Sequence, residues 1–369
     1  MINDAELFTV GPDEVVVTFR TEDERDIETR VGDRTVVTSG RYHSARVTGL
    51  EPATRYTLAV AGAVAGSSPL LPDAVATLAQ PGGRLLATVA TVNDVHIGET
   101  TCGLLGTPDE LGPVFTVEPG ATPYPEVMNH GAIDAIERLD PDAVLVKGDL
   151  TDRGTEEEYE AFLQAYSRLG ARMHHVRGNH DAMLSEKIAA TGPFTVEVEG
   201  ATLAVLDTVR PGTDRGRISR EQLDWLDQLA AETARPMLVF GHHHPWDPAS
   251  TDRNETYFGI NPDDSEALCA VIARRDSIAG YFAGHTHRTR TRRFPTARDV
   301  PIVEIACVKD YPGAWAEYRV YEGGYVQLTR RIEAPAAMAW TEKTRAMFAG
   351  LYRDYALGAL RDRCFVQTF

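Results

Sequence analysis

The stretch Gly178-Asn179-His180-Asp181 follows Ala171–Arg177, which predicts a short strand that ends in a turn. The side-chain oxygen of an asparagine can complete a metal site without adding charge when histidines and carboxylates lie beside it. A histidine at the next position can give or take a proton near neutral pH. The stretch therefore predicts a place at the end of a strand where metal binding and proton transfer meet.

Four other short motifs carry the same kinds of side chain, and each follows an apolar run that predicts a buried strand. Functional groups gather at the carboxyl ends of the strands in open α/β sheets, so folding can bring all five motifs together. The four are Asp94-Val95-His96, Gly148-Asp149-Leu150-Thr151-Asp152, Gly241-His242-His243-His244 and Gly284-His285-Thr286-His287.

Each motif taken alone has an ordinary explanation. Asp94 and His96 alternate as many surface pairs on strands do, and Asp149 is placed to cap a helix or turn. The histidines His242, His243 and His244, which precede Pro245, could simply form a solvent-exposed turn. The ordinary explanation is weaker for the set, because seven of the 11 histidines fall within four of the five motifs.

The pooled side chains form a nitrogen and oxygen donor set without thiolate. Such a set favours Mn, Fe, Zn, Co or Ni over a soft metal. It exceeds what one tetrahedral ion needs, so two ions are predicted, and two ions about 3.5–4 Å apart can share a carboxylate and hold a phosphoryl group. The predicted ligands are Asp94, His96, Asp149, Asn179, His242, His285 and His287.

Composition limits the class of partner. The 369 residues are 43% hydrophobic and 25% charged, as in ordinary globular proteins, and carry a net charge of -17. This charge repels nucleic acid and anionic membranes, so bulk nucleic acid is excluded as a partner.

The four scattered cysteines predict neither a zinc ribbon nor a disulfide framework. Without a signal peptide or apolar span, we expect a cytoplasmic protein without membrane association. The oligomeric state stays open, with a homodimer as one option.

The pattern along the chain predicts three parts. Residues 1–80 hold short β-rich runs between turn signals and predict a small all-β sandwich. Gln80–Gly83 is a proline and glycine linker. Strands and helices then alternate over 84–335, which predicts a layered α/β domain. Residues 336–369 are expected to form a C-terminal helical tail.

The run Leu50-Glu51-Pro52-Ala53-Thr54-Arg55-Tyr56 resembles the Leu-x-Pro-x-Thr-x-Tyr corner of fibronectin type III domains. Two roles are open for such a domain. It can bind a partner or cover the site as a lid, or it can be a packing appendage without chemistry. The second role is favoured, because a fold alone does not give a function.

The ordered series Asp-x-His, Gly-Asp-x-x-Asp, Gly-Asn-His-Asp, Gly-His and Gly-His-x-His resembles the calcineurin-like metallophosphoesterase superfamily, over roughly Leu85 to Arg331. The resemblance implies a four-layer α/β/β/α sandwich that holds two divalent or trivalent transition-metal ions, such as Mn, Fe or Zn. It assigns Asp94, His96 and His287 to the first metal. It assigns Asn179, His242 and His285 to the second metal, and Asp149 to the bridge between the two.

The resemblance makes His180 the substrate-facing histidine, and an imidazole there can protonate a departing alkoxide. It implies attack on phosphorus by a metal-activated hydroxide, with the added charge stabilised electrostatically. Asp152 and Asp181 are both candidates to orient His180, and the sequence does not choose between them. Asn179 and His243 are candidate substrate contacts.

A further candidate contact comes from Arg153. The run Gly148-Asp149-x-x-Asp152-Arg153-Gly154 resembles the signature of protein Ser/Thr phosphatases, in which the arginine touches phosphate. The alternative is an exposed arginine beside the acidic Glu156 and Glu157, which contributes little.

The short Gly-Asp-Leu-Thr-Asp and Gly-Asn-His-Asp forms most resemble class III cyclic nucleotide phosphodiesterases. We therefore expect a metal-dependent phosphodiesterase that acts on small phosphorylated substrates such as cyclic nucleotides. Purple acid phosphatases carry a tyrosine where this chain has Asp152, which argues against that subfamily. The fibronectin-like N-terminal domain of this chain, however, resembles the N-terminal domain of those enzymes. The alternatives are a phosphomonoesterase of the acid-phosphatase type and a non-catalytic binding protein on the same scaffold.

The segment from Gly98 to Asn129 is long and rich in proline, and it begins directly after His96. Loops of this length are usually functional or disordered. Because its start is fixed beside a predicted ligand, we expect it to form a wall of the substrate pocket.

Overall fold

A computed structural model of the chain describes residues 1–63, 68–104 and 111–369, and it begins with an antiparallel β domain. A long strand, Glu14–Val31, shifts register between Arg20 and Arg25 and pairs with different neighbours along its two halves. Side chains from both halves, such as Val17 and Val31, pack into one apolar core. This confirms the predicted all-β domain. Its strands are β1 Ile2–Val10, β2 Glu14–Val31, β3 Arg34–Thr48, β4 Arg55–Val60 and β5 Ala74–Ala76.

The motif that resembles a fibronectin corner makes a local hydrogen bond. The backbone N–H of Glu51 donates to the hydroxyl oxygen of Tyr56 at 2.8 Å. A tyrosine corner makes a bond of this kind to the backbone a few residues upstream. The assignment of residues 1–80 to the fibronectin type III class stays a prediction.

Strands and helices alternate through the rest of the chain. Within the described residues, no helix is both long and apolar enough to cross a membrane. The strands are β6 Leu85–Val92, β7 Thr101–Cys102, β8 Phe115–Thr116, β9 Ala143–Lys147, β10 Met173–Val176, β11 Phe194–Val198, β12 Ala201–Val205, β13 Met237–Phe240, β14 Ile278–Ala283, β15 Arg290–Arg293, β16 Pro301–Glu304, β17 Ala314–Tyr321, β18 Gly324–Arg331 and β19 Cys364–Thr368. The helices are α1 Tyr124–Leu139, α2 Glu156–Tyr166, α3 Arg220–Glu232, α4 Pro262–Arg274, α5 Pro335–Thr344, α6 Leu351–Leu357 and α7 Leu360–Arg363.

Two six-stranded sheets pack face to face, in the orders β10-β9-β6-β17-β18-β19 and β11-β12-β13-β14-β16-β15. Strand β9 shows why its run is apolar throughout. Val144 and Val146 face α1 and α2, whereas Ala143 and Leu145 face the other sheet. A strand buried on both faces needs apolar residues at every position. Helices α3 and α4 cover the second sheet, which confirms the predicted four-layer α/β/β/α sandwich.

The C-terminal segment differs from the expected helical tail over 336–369. Helices α5, α6 and α7 are present, but Cys364–Thr368 forms β19, which pairs antiparallel with β18 at the edge of the first sheet. Cys364 and Val366 pack against Val326 and Leu328 of that strand. Because β19 is only five residues long, its own sequence gives a weak strand signal. Its strand conformation depends on pairing with β18, which is distant in sequence. The limits of the predicted domains, at residues 80, 84 and 335, stay predictions.

Buried ion pairs attach the β domain to the α/β domain. The guanidinium of Arg330 donates to both carboxylate oxygens of Glu14, at 2.8 and 2.6 Å. Arg319 also donates to Glu14, at 2.5 Å. Burial favours the neutral form of Glu14, but Arg330 and the charges of Arg319 and Arg46 outweigh it and lower the pKa of Glu14 from 4.5 to about 2.

We predict that Glu14→Gln lowers the free energy of unfolding at pH 7 by about 3 kcal/mol, because it removes a buried negative charge and leaves Arg330 with Glu317 as its remaining carboxylate partner. The pKa of Glu14 is lower in the folded state, so its stabilisation is present above about pH 4.5 and is lost as the pH falls towards 2. Urea unfolding from pH 7 to pH 3 should show the difference between wild type and variant shrinking on acidification.

The control is Glu22→Gln, which removes a carboxylate that is 61% exposed in the same domain. We expect it to change stability by less than about 0.5 kcal/mol. A difference between wild type and Glu14→Gln that stays constant over this pH range would show that the ionic contact does not hold the two domains together.

Candidate metal centre

The five strand-end motifs meet at one edge of the sandwich. Strands β6, β9 and β10 run parallel in the first sheet, and β13 and β14 run parallel in the second, so their carboxyl ends lie together. The donor atoms of Asp94, His96 and His287 lie within 4.8 Å of one another, as do those of Asp94, Asp149 and His242.

Asp149 lies at the middle of this group. Its Oδ2 is 3.6 Å from Nε2 of His96 and 3.3 Å from Nε2 of His242. Nε2 of His242 is also 3.1 Å from Oδ1 of Asn179. On the other side, Nε2 of His287 is 3.6 Å from Oδ1 of Asp94. The carboxylate of Asp149 therefore occupies the position between two ligand groups that a bridging ligand requires.

Hydrogen bonds behind these side chains set their orientation. Nδ1 of His242 donates to the carbonyl oxygen of Lys147 at 2.9 Å, which leaves Nε2 facing Asp149. The carboxylate of Asp94 accepts from the backbone N–H of His285 at 3.0 Å and from Nδ2 of Asn93 at 2.5 Å. Such outer contacts fix the tautomer of a metal ligand and the direction of its donor atom.

The residues present fit metal ions on two further observations. Both ring nitrogens of His96 and Nε2 of His285 are buried, and none of these three atoms has a hydrogen-bond partner among the described residues. Buried polar atoms are nearly always paired, so unpaired nitrogens beside carboxylates are suited to bind a cation. The donor set is also nitrogen and oxygen throughout, as Mn, Fe or Zn prefer.

Backbone strain is concentrated at the same residues. Five of the seven predicted ligands adopt left-handed backbone conformations, with φ between 48° and 69°. Non-glycine residues seldom occupy this region, and strain of this kind clusters at functional sites. The five are Asp94, His96, Asp149, His285 and His287.

The glycine before Asn179 is required by close packing. A Cβ atom on Gly178 would lie 2.2 Å from both the backbone nitrogen and Oδ1 of Asp149. Any side chain at this position would displace the central carboxylate. The loops after β9 and β10 can therefore approach one another only with glycine at this point.

His180 lies beside this group. Its ring centroid is 4.5 Å from that of His96, and its Nδ1 donates to the carbonyl oxygen of Asp152 at 2.6 Å. The carboxylate of Asp152 is farther away, with Oδ1 at 4.0 Å from Nδ1. Asp152 thus contacts the ring mainly through its backbone.

The contacts of Asp181 differ from the predicted role of orienting His180. Its buried carboxylate accepts from the backbone N–H groups of Leu150, Thr151 and Gly178, at 3.1, 2.9 and 2.7 Å. It also accepts from the hydroxyl of Thr151 at 2.6 Å. All four donors belong to the two loops that carry Asp149 and Asn179. Asp181 therefore joins these loops and does not orient the His180 ring.

Two predicted substrate contacts lie away from the pocket. The side chain of Arg153 is 71% exposed and pairs with Glu158 at 3.5 Å, as in the alternative that the sequence left open. His243 is fully buried and shares a hydrogen bond of 3.0 Å with Thr208 through Nδ1. A ring nitrogen of His243 lies within 4.8 Å of donor atoms of His242 and His285, and His243 is not part of the described pocket lining.

Sequence reasoning missed Lys309 and Asp310, which follow β16. Oδ2 of Asp310 lies 4.0 Å from Nδ1 of His287, and its Oδ1 accepts from the hydroxyl of Tyr352 at 2.5 Å. Lys309 pairs with Glu99 at 2.7 Å and with Asp310 at 3.2 Å. The available signal was their position after an apolar run, the same position as in the five motifs, but they carry neither glycine nor histidine.

A pocket of about 760 Å³ opens from the candidate ligands. The segment after β6 contributes Glu99, Thr101–Leu104 and Leu111, in agreement with the predicted wall, while Pro108 lies outside the described residues. Its described lining contains no residue of the N-terminal β domain, which supports the packing role for that domain over the lid. At the metal end, the lining residues are His96, Asp149, Asn179, His180, His285 and His287.

Comparison with known proteins gives consistent matches. A probable cyclic nucleotide phosphodiesterase of Synechococcus is 31% identical over 42% of this chain and 60% of its own length. The cAMP/cGMP dual specificity phosphodiesterase of Mycobacterium tuberculosis is 30% identical over 45% and 58%. The glycerophosphodiester phosphodiesterase GpdQ of Enterobacter lignolyticus is 26% identical over 46% and 66%. The chain thus spans less than two thirds of the length of these curated relatives.

The family match covers the part of the chain that carries the motifs. Residues 87–289 match the model of the calcineurin-like phosphoesterases, which is just over half of the sequence. All seven candidate ligands and His180 lie inside this range, and their histidine and aspartate clusters are typical of dimetal phosphoesterases. The chain belongs to the calcineurin-like phosphoesterase family of hydrolases.

Proposed function

We propose that this protein hydrolyses phosphodiesters of small molecules, such as cyclic nucleotides. The observation that carries the proposal is the Asp149 carboxylate between His96 and His242, in the lining of a pocket that His180 also lines. The names of the curated relatives, which are cyclic nucleotide and glycerophosphodiester phosphodiesterases, support a diester over other phosphate compounds.

Seven side chains would hold the metal ions. When bound, two ions such as Mn, Fe or Zn would supply positive charge to the phosphoryl group and activate a water. The first group is Asp94, His96 and His287, the second is Asn179, His242 and His285, and Asp149 lies between them.

In this proposal, His180 is the proton donor. Hydrolysis adds water to phosphorus and breaks one P–O ester bond, and the departing oxygen needs a proton. Nδ1 of His180 is held by the carbonyl of Asp152, so Nε2 is the nitrogen left to serve the substrate. In the imidazolium form, Nε2 can transfer its proton to that oxygen.

The charges around the pocket favour a diester over a monoester. A diester carries one negative charge and a monoester carries up to two. In the described lining, Lys309 is the single lysine or arginine, and Glu99 and Asp310 already neutralise it. A second substrate charge would therefore lack a cation of the protein, so phosphomonoester hydrolysis is the alternative outcome of the tests below.

We predict that purified protein, loaded with Mn, Fe or Zn and dialysed, retains about two ions per chain. Asp149→Ala should lose most of the metal because it removes the oxygen shared by both groups. Asp152→Asn is the control, since Asp152 is acidic and nearby but contacts the site through its backbone. Elemental analysis measures the content. Unchanged metal in Asp149→Ala, or none in wild type, would contradict the ligand assignment and favour a non-catalytic binding protein.

We further predict that Asp149→Ala and Asn179→Ala each abolish turnover of an aryl phosphodiester. His180→Ala should lower kcat by about 10²–10⁴-fold, with the larger loss for esters whose leaving group is a poorly acidic alcohol. The matched control is His174→Ala, which removes a half-buried histidine on β10 outside the pocket. Equal losses for good and poor leaving groups would argue against proton donation by His180. Faster turnover of the matching monoester would replace the diester proposal.

A further inference from the structure

Exposed apolar side chains are concentrated at the mouth of the metal pocket. Among the described residues, 11 large hydrophobic side chains are exposed, and six of them line this pocket. Each of the six is between 41% and 66% exposed. Single exposed apolar residues are common, but a contiguous group of them marks a binding surface. We call these residues the apolar rim: Leu104, Leu111, Met183, Phe258, Leu351 and Tyr355.

The apolar rim is continuous with the candidate metal centre. The ring of Phe258 stacks on that of His285 with a centroid distance of 4.1 Å. Met347 and Tyr352, which are buried, join the rim from the C-terminal segment. A group attached to a phosphate at the metal centre therefore meets apolar surface directly. A pocket of about 760 Å³ is large enough for a phosphate and an organic group of drug-like size.

Four hydroxyl groups of this wall are already hydrogen-bonded within the protein. The hydroxyl of Tyr355 donates to the carbonyl of Thr286 at 2.8 Å, and that of Tyr352 donates to Asp310. The hydroxyl of Thr286 donates to Glu304 at 2.9 Å, and that of Thr101 donates to Thr116 at 3.2 Å. Apolar side chains and ring faces therefore make up much of this wall. Of the charged residues in the lining outside the candidate ligands, Lys309 is paired with Glu99 and Asp310, and Asp214 is exposed.

This surface discriminates between organic groups. A nucleobase and its ribose carry several polar atoms, and each loses free energy if it is buried without a partner. An alkyl or acyl chain has no such requirement and gains from leaving water. We propose that the preferred substrate is a phosphodiester with an apolar chain that lies along the apolar rim. The proposal rests on the proposed diesterase activity and narrows its substrate class.

The test is a series of methyl, butyl and octyl p-nitrophenyl phosphates, used below their micelle concentrations with the metal-loaded full chain. Release of p-nitrophenol gives kcat/KM for each ester. We expect kcat/KM to rise about two- to fourfold per buried methylene group. The octyl ester should also exceed the p-nitrophenyl ester of thymidine 5'-monophosphate, a nucleotide diester with the same leaving group, in kcat/KM.

Variants of two exposed rim residues, with one matched control, test whether the chain-length effect on kcat/KM arises at the apolar rim. Leu351→Ser and Met183→Ser should each lower the ratio of kcat/KM between the octyl and methyl esters by about tenfold. Leu184→Ser, next to Met183 in sequence, removes a leucine that is 74% exposed and outside the pocket lining, and it should keep the wild-type ratio. Because all three side chains are exposed, loss of folding is not expected, and thermal unfolding checks this.

The outcomes separate the two proposals. No hydrolysis of any ester would overturn the diesterase activity itself. Hydrolysis of the methyl and octyl esters with equal kcat/KM, or a higher kcat/KM for the thymidine ester than for the octyl ester, would overturn the apolar chain and leave the diesterase standing. A chain-length effect that appears only with anionic phospholipid vesicles would show that the rim docks on a lipid surface, which also overturns the proposal.

Discussion

The carboxylate of Asp149 is the contact on which the site depends. Asp149 follows β9 of one sheet and His242 follows β13 of the other, and their side chains approach to 3.3 Å. The contact therefore joins both halves of the sandwich at their common edge. A buried carboxylate is unfavourable unless positive charge compensates for it. The nitrogen and oxygen donors around Asp149 are suited to metal ions, which would supply this positive charge. The contact between Asp149 and His242 therefore matters both for the fold and for the proposed chemistry.

The ligands converge because the backbone holds them in place. Asp94 and His96 lie in left-handed conformations, and their backbone N–H groups donate to the carbonyl oxygens of Gly148 and Asp149 at 3.1 and 2.8 Å. Asp181 adds its four hydrogen bonds between the next two loops. Each strained residue costs of order 1–3 kcal/mol, and the cores of the sandwich must offset this cost. The result is a preorganised site, with its donors directed inward by the protein itself.

Sequence reasoning grouped the candidate ligands and predicted one wall of the pocket, but it did not predict the contacts behind the ligands. Strand-end motifs such as Gly178–Asp181 are local signals, because an apolar run predicts the strand and parallel strands place their ends together. The choice between Asp152 and Asp181 depended on which loop amides surround each carboxylate. The burial of His243 depended on Thr208, a residue 35 positions away. Such contacts form only after folding, and single-sequence patterns do not encode them.

The C-terminal segment shows the same limit. Its strand β19 is recognised by pairing with β18, and its Tyr352 reaches Asp310 beside His287. No short motif in residues 336–369 indicates that they line the pocket. The C-terminal lining of the pocket thus depends on long-range packing, whereas the candidate metal ligands belong to local motifs.

Anomalous diffraction from crystals grown with Mn²⁺ tests the central claim most directly. The account predicts two peaks about 3.5–4 Å apart, one on each side of the Asp149 carboxylate. One peak would be near Asp94, His96 and His287, and the other near Asn179, His242 and His285. A single peak, or peaks away from Asp149, would contradict the dinuclear site and the phosphoester chemistry derived from it.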